Sequence, residues 1–218
     1  MGSLDNFWLP WSSWLSSLIS ILVIVDPVGV VPLFLVLTHG DPAEKRRAVA
    51  RRATGTAFFV LTLFTFTGDA ILRFFGITVA AFRVAGGIIL LVVALGMLQA
   101  RQVRIKMSPE EEEEGRDKED VAIVPLGVPA LAGPGAITTV VVLTAGSTRW
   151  LDKFEILSSI FVVMTLTYGA FHFANPVASV LGRTGMSLLT RLLGLLLAVI
   201  AVQFTANGLG ELFPGWLK

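Results

Sequence analysis

The chain has 218 residues, 54% of them hydrophobic and 15% charged, with a net charge of +1 and a mean hydropathy of +0.77. Ordinary soluble domains carry about 25% charged residues, so a fold of this size would have too little polar surface to cover itself, which argues against a water-soluble enzyme or a nucleic-acid binder. The absence of cysteine excludes disulfides, thiolate zinc sites and thiol catalysis, and two histidines, His39 and His172, leave little room for histidine-based chemistry.

The charges cluster, and the gaps between them are apolar. About 20 mostly apolar residues are needed to cross the ~30 Å hydrocarbon core as a helix. Six stretches qualify, near 14–38, 53–73, 79–99, 121–146, 154–174 and 188–212. Most are apolar all round, as helices in lipid are, so periodicity does not mark a buried face. The first stretch has Asp5 as the sole charge before it and is too long for a signal h-region, so it reads as a retained span. Trp8, Trp11 and Trp14 before it, and Trp150 and Trp216 elsewhere, suit an interfacial aromatic belt.

Orientation follows from Lys and Arg. The loop after the first span carries Lys45, Arg46, Arg47, Arg51 and Arg52. The loop after the third carries Arg101, Arg104, Lys106, Arg116 and Lys118, and the loop after the fifth has Arg183. These eleven stand against four on the other side, Arg73, Arg149, Lys153 and Lys218. The positive-inside rule therefore expects a multi-pass protein of the cell (inner) membrane with both termini extracytoplasmic. The acidic run Glu110–Glu114 falls in the longest linker and reads as a solvated connector.

The chain repeats itself. Asp26-Pro27-Val28-Gly29 followed by Thr38 parallels Gly133-Pro134-Gly135 followed by Thr144, with nine residues from glycine to threonine in each. Forty residues after the anchor glycines Gly29 and Gly135 come Asp69 and Asn175, both read as polar residues deep in a span. Arg83-Val84-Ala85-Gly86 and Arg191-Leu192-Leu193-Gly194 then open spans 3 and 6. Three spans per half is an odd number, so the second half must sit upside down. The expected fold is an all-α membrane protein of six transmembrane helices, an inverted 3+3 repeat with broken helices 1 and 4. Residues 1–105 form the first repeat, 106–120 a charged cytoplasmic linker and 121–218 the inverted second repeat. Secondary transporters are often built this way, because two halves of opposite sense have two pseudo-equivalent states.

Pro27, Gly29 and Pro32 interrupt the first span, and Pro125, Gly127, Pro129, Gly133, Pro134 and Gly135 the fourth. Proline removes a backbone donor and glycine allows the dihedrals of a break. The freed groups must face protein or a watery cavity. Half-helix N-termini there suit a carboxylate and unwound carbonyls a cation or ammonium group. Two proline kinks without a ligand are the plainer alternative. The lining on offer is Gly29, Gly133, Gly135, Thr138 and Thr139, with Thr205 and Asn207 from the last span. These small and hydroxylated residues point to a small, overall neutral, polar solute such as a short zwitterionic amino acid.

These pieces carry a resemblance. Asp26-Pro27-Val28-Gly29 with Pro32 and Leu37-Thr38, Arg83-Val84-Ala85-Gly86-Gly87, Val124-Pro125-Leu126 with Pro129, and Ala132-Gly133-Pro134-Gly135 are similar to motifs of the MarC family. So are Arg191-Leu192 with Gly194 and Val202-Gln203-Phe204 with Asn207-Gly208. The chain resembles this family of six-span membrane proteins, which includes the SnatA-type small neutral amino acid transporters, over essentially all six spans. The resemblance implies transport of glycine, alanine or similar amino acids, coupled to a proton or sodium gradient. No cofactor, no metal and no enzymatic activity are expected. The family's first motif often begins Asn-Pro. Here Asp26 puts an ionisable group at the break, to contribute to ion or proton coupling or simply to cap the downstream half-helix.

The substrate-binding candidates are thus Asp26, Pro27, Gly29, Gly133, Pro134, Gly135, Thr138, Thr139, Thr205 and Asn207. The coupling or gate candidates are Asp26, Asp69, Arg83, Asn175 and Arg191. Each of the latter has a plainer account: a salt bridge from Asp69 to Arg73 or Arg83, interfacial snorkelling of Arg83 and Arg191, and an end to the fifth span at Asn175-Pro176. Gln203, Thr205 and Asn207 serve equally as hydrogen-bonding glue between helices. The competing functions are a passive channel for small solutes and an intramembrane hydrolase using Asp26 and Asp69, which would need both acids at one depth. The expected partners are membrane lipid and a neutral amino acid, with no nucleic acid. The oligomeric state is open.

Overall fold

The computed structural model describes residues 5–99, 121–145 and 149–215, with side-chain surroundings from residue 14 onward except at Arg183. The expected linker 106–120 with Glu110–Glu114, the basic residues Arg101 and Arg104, Trp216, Lys218, and the side chains of Trp8, Trp11 and Arg183 lie outside the described residues.

Among the described residues all regular structure is helical. The elements are α1 (Asp5–Val25), α2 (Val31–Leu37), α3 (Ala43–Phe74), α4 (Val79–Leu98), α5 (Ala122–Leu131), α6 (Pro134–Thr144), α7 (Trp150–His172) and α8 (Ala174–Leu212). Four stretches are long and apolar enough to cross a membrane: Ala43–Phe74, Val79–Leu98, Trp150–His172 and Thr184–Leu212. The bent pair α5–α6, its axes 55° apart, makes a fifth if counted as one span. The first expected span, 14–38, is divided into α1 and the short α2 by residues 26–30.

Local chemistry sets the boundaries. Phe75 ends α3, and Gly76, at φ +67°, turns the chain so that Gly76 N–H donates to Arg73 O and Ile77 N–H to Leu72 O. This is the glycine-terminated closure that satisfies the last carbonyls of a helix. Two residues later Thr78 caps α4, its hydroxyl oxygen accepting from Ala81 N–H at 3.1 Å. α3 begins at Ala43, ten residues before the expected 53, because the basic stretch Lys45 to Arg52, too polar for an apolar window, is itself helical. α8 is interrupted at Gly182, at φ +58°, a conformation that favours glycine.

Two sequence placements are corrected here. Asn175 does not lie deep in a span: α7 ends at His172, and Asn175 is exposed in the first turn of α8. Arg191 does not open the last span, because the apolar stretch begins at Thr184 and Arg191 is exposed about two turns inside it. The shared cause is that α8 extends back to Ala174, and hydropathy alone does not reveal a bend at Gly182.

α4 and α8 form the most extensive helix pair. α3 packs on α7, α5 and α6, α1 on α6, α7 and α8, and α2 on α7 and α8. In lipid, helices associate through close packing, which small residues permit. A methyl group on Gly87 of α4 would stand 2.7 Å from Ala201 O of α8, and one on Gly208 of α8 would stand 2.8 Å from Ala80 O of α4. The outward surface is apolar, with Phe59, Phe161 and Val199 more than 60% exposed. Threonine hydroxyls within the helices turn back to their own chain: Thr54, Thr65, Thr144 and Thr167 each donate to the carbonyl four residues earlier.

Candidate functional site

At the first break α1 closes with Asp26 N–H donating to Leu22 O at 3.0 Å. Asp26 then adopts φ +50°, a left-handed conformation that aspartate tolerates better than most residues. Pro27 and Pro32 bring no amide donor, so the helix cannot run through. The Asp26 carboxylate folds over the turn instead. Its Oδ1 accepts Gly29 N–H at 2.9 Å, and its carbonyl accepts Val30 N–H at 3.2 Å. A methyl group on Gly29 would overlap that carboxylate, which explains the glycine. Pro27 is buried, and Asp26 is 4% exposed. Asp26 is therefore the cap of this turn. The amides ahead of α2 are engaged by their own loop, so the expectation of an open carboxylate-binding N-terminus at this break is corrected.

The second break is built differently. α5 is an irregular segment of wide turns, with Leu126 N–H donating to Val121 O and Ala132 N–H to Gly127 O, each five residues back. Val124 and Val128 leave helical geometry for extended dihedrals, each directly before a proline, where the ring disfavours helical backbone. Both Val–Pro bonds are cis. The helix restarts at α6 with extended Gly133 as its first flanking residue, no side-chain cap, and Pro134 in its first turn. Gly133 passes close to Pro129, where a methyl group would stand 2.5 Å from the carbonyl oxygen.

The two breaks adjoin. A methyl group on Gly135 would stand 2.9 Å from Ile24 Cδ1 and 3.3 Å from Leu90 Cδ2. Ile24 is two residues ahead of Asp26. Thr138, buried, sets its methyl group against Gly86 of α4, and Thr139 donates to Gly135 O at 2.9 Å. Thr205 packs on Gly87 and donates to Ala201 O at 3.0 Å. Asp26, Pro27, Gly29, Gly133 and Gly135 thus sit at the breaks, Thr138 and Thr139 follow within α6 and face α4 and their own helix, and Pro134 is exposed. Asn207 does not join them: it is exposed and accepts from Gln203 Nε2 at 2.7 Å.

Charged residues close the two ends of the bundle. Arg83 of α4 is ion-paired with Glu211 near the end of α8. Asp69 is half-exposed one turn from Arg73, which it meets at 2.9 Å. The plainer account of Asp69 therefore describes its surroundings, and it stands near the end of α3 as a surface ion pair. At the opposite end Phe34 of α2 stacks on Phe171 of α7, with ring centroids 4.4 Å apart and planes 9° from parallel, both fully buried. The Arg46 guanidinium covers the Phe34 ring at 5.7 Å and makes a long contact, 3.5 Å, to Asn175 Oδ1. Its Nε is buried with no hydrogen-bond partner.

Sequence reasoning missed Glu211, Phe34, Phe171 and Arg46 as members of these clusters. Glu211 carried a signal, being an acid close to the end of an apolar span. The phenylalanines carried none, because apolar residues surround them on every side. Trp14, a belt residue by its place before the first span, donates its indole N–H to Ser158 Oγ at 2.8 Å and ties α1 to α7. Among the described residues no group of three or more His, Asp or Glu gathers as a metal site.

Residues 11–213 match the family described as MarC family integral membrane protein. The chain belongs to the MarC family. It is 39% identical over 197 residues to the UPF0056 membrane protein YvbG of Bacillus subtilis (strain 168), covering 90% of this chain and 93% of that one. The UPF0056 membrane protein MJ1677 of Methanocaldococcus jannaschii is 39% identical over 190 residues, 87% of this chain and 92% of its own. The UPF0056 membrane protein YhcE of Escherichia coli (strain K12) is 34% identical over 204 residues, 92% and 93% respectively. No solved structure matches. MarC family membership and the apolar helices make this a multi-pass integral membrane protein.

Proposed function

We propose that this MarC family protein is a secondary transporter of small neutral amino acids of the glycine and alanine class, working by alternating access and driven by a proton or sodium gradient. In this reading α1 with α2, α3 and α4 form one triplet, and α5 with α6, α7 and α8 form its inverted counterpart. The membrane is the inner membrane, with both termini outside. The reciprocal packing supports the arrangement: α3 lies on the broken pair α5–α6, α7 lies on the broken pair α1–α2, and α4 lies on α8.

One observation carries the reading. The two breaks adjoin through Gly135 and Ile24, and they differ in charge. The first holds a carboxylate, Asp26. The second presents the glycine-flanked start of α6 without a capping side chain. A zwitterion needs that pair of ends, its ammonium group toward Asp26 and its carboxylate toward the α6 amides, where the helix dipole favours negative charge. The small residues around Gly133, Gly135 and Thr138 suit a short side chain. The Phe34–Phe171 stack under Arg46 then acts as the closed cytoplasmic gate.

The test is counterflow. Purified protein in liposomes preloaded with unlabelled alanine is expected to accumulate labelled alanine saturably, with glycine competing and large or charged amino acids failing to. Imposed proton or sodium gradients identify the coupling ion. A linear, non-saturating flux would instead assign a channel, and no amino acid flux at all would remove the assignment.

The gate has its own readout. The chain has no cysteine, so a Val28→Cys reporter at the first break has no background. Phe34→Ala or Phe171→Ala is expected to raise its labelling by a membrane-impermeant maleimide applied from the cytoplasmic side. Unchanged labelling in both variants would show that the stack seals nothing.

A further inference from the structure

The last span is the least covered of the four. In its most apolar window 17% is buried, against 22% for Val79–Leu98 and 39% for Trp150–His172. Its inner face is set by Leu197, Ala201 and Gly208, which are buried, the last two against α4. At about 100° per residue the opposite face carries Val199, Gln203, Ala206 and Gly210, with Asn207 beside them. Val199 is 62% exposed and Val202 58%, and Gln203, Ala206 and Asn207 are exposed as well.

Two amides therefore stand on the outer side of a membrane-spanning helix. Gln203 lies about 12 Å along the helix axis from Glu211, and Asn207 about 6 Å. Each partly satisfies the other, through Gln203 Nε2 donating to Asn207 Oδ1 at 2.7 Å. The Asn207 Nδ2 donors and the Gln203 carbonyl oxygen have no partner among the described residues. Acyl chains offer neither donor nor acceptor. The free groups of the pair are the Asn207 Nδ2 donors, the second Gln203 Nε2 donor and the Gln203 carbonyl acceptor, so the pair can bond to a copy of itself across a two-fold axis. Ala206 and Gly210, one turn apart on the same face, are small enough to let two backbones approach.

We propose that this face of α8 is where a second copy of the chain docks, forming a parallel dimer across an axis along the membrane normal. Its core is the Gln203–Asn207 pair of each protomer. The dimer stands independently of the transport reading, because its test reads stoichiometry and not flux.

The full chain, reconstituted in dilute phosphatidylcholine–phosphatidylglycerol vesicles, is expected to bleach mainly in two steps when singly labelled and counted molecule by molecule. With no native cysteine, Ala206→Cys is expected to cross-link under mild oxidation to twice the 23.4 kDa chain mass. Phe161→Cys on α7 and Ile88→Cys on α4, at positions 61% and 54% exposed, are expected to stay monomeric. The Gln203→Leu/Asn207→Leu double variant touches no core residue and is expected to dimerise about tenfold more weakly. Single-step bleaching of the unsubstituted chain would overturn the proposal. So would preferred cross-linking through Phe161→Cys or Ile88→Cys, or a Gln203→Leu/Asn207→Leu variant that dimerises as before. Reaction of Asn207→Cys with an impermeant maleimide would place this face on water and overturn it too. Should the double variant misfold, the cross-linking pattern alone decides.

Discussion

Replacing Asp26 with asparagine is expected to leave the fold intact, to weaken exchange without abolishing it, because an amide oxygen still faces the ammonium group, and to abolish gradient-driven accumulation. Asparagine offers the same Oδ1 to Gly29 N–H and tolerates φ near +50° as well as aspartate does. The change in stability should therefore stay below about 1 kcal/mol. What it removes is the charge at a residue only 4% exposed. Alanine removes the acceptor as well and sits poorly in the left-handed region, so Asp26→Ala should cost about 1–3 kcal/mol and lose exchange with accumulation. Gly29→Ala drives a methyl group into the Asp26 carboxylate and should open the turn, with transport lost at normal expression. The measurements are thermal unfolding in detergent, and counterflow beside gradient-driven uptake of labelled alanine. Full accumulation by both Asp26 variants would leave the carboxylate as a cap with no part in coupling.

A second large effect is expected where α4 meets α8. An added methyl at Gly87 or Gly208 meets backbone atoms of the opposite helix, Ala201 O at 2.7 Å and Ala80 O at 2.8 Å. Backbone cannot rotate away as a side chain can, so the helices must separate. Gly87→Ala and Gly208→Ala should each destabilise by about 1–3 kcal/mol, the range for overpacking a close contact. They share one interface, so their effects should not add. Gly169→Ala on α7 is the control: a methyl there meets nothing within 4 Å, and the helix should gain up to about 1 kcal/mol. Denaturation in mixed micelles separates these cases. Equal behaviour of all three variants would show that close approach of α4 and α8 is not what holds them together.

The arrangement of Asp26 also bears on how such sites are read. The proline and glycine positions announce two interruptions, and both breaks lie where those residues stand. Their chemistry differs in a way the matched spacing conceals. In the first, aspartate engages the amides of its own loop. In the second, glycine and proline leave the start of α6 without a side-chain cap. The matched spacing of the two motifs suggests equivalent breaks, whereas the side chains make them different.

The amino-acid sequence by itself determined that the protein lives in lipid, where its apolar stretches lie, and where proline and glycine interrupt them around Pro27 and Pro134. Those follow from composition and from the backbone chemistry of proline and glycine, which act locally. It did not determine which side of each helix faces inward. In water a polar stripe would have marked the outer face, but in a bilayer both the core and the surroundings are apolar, and the contrast vanishes. Only the tertiary structure therefore joined Arg83 to Glu211, stacked Phe34 on Phe171, and turned Gln203 and Asn207 outward. The stops at Gly76 and the bend at Gly182 belong between the two: the glycines were visible, but the positive φ that gives them meaning arises once the flanking helices are packed.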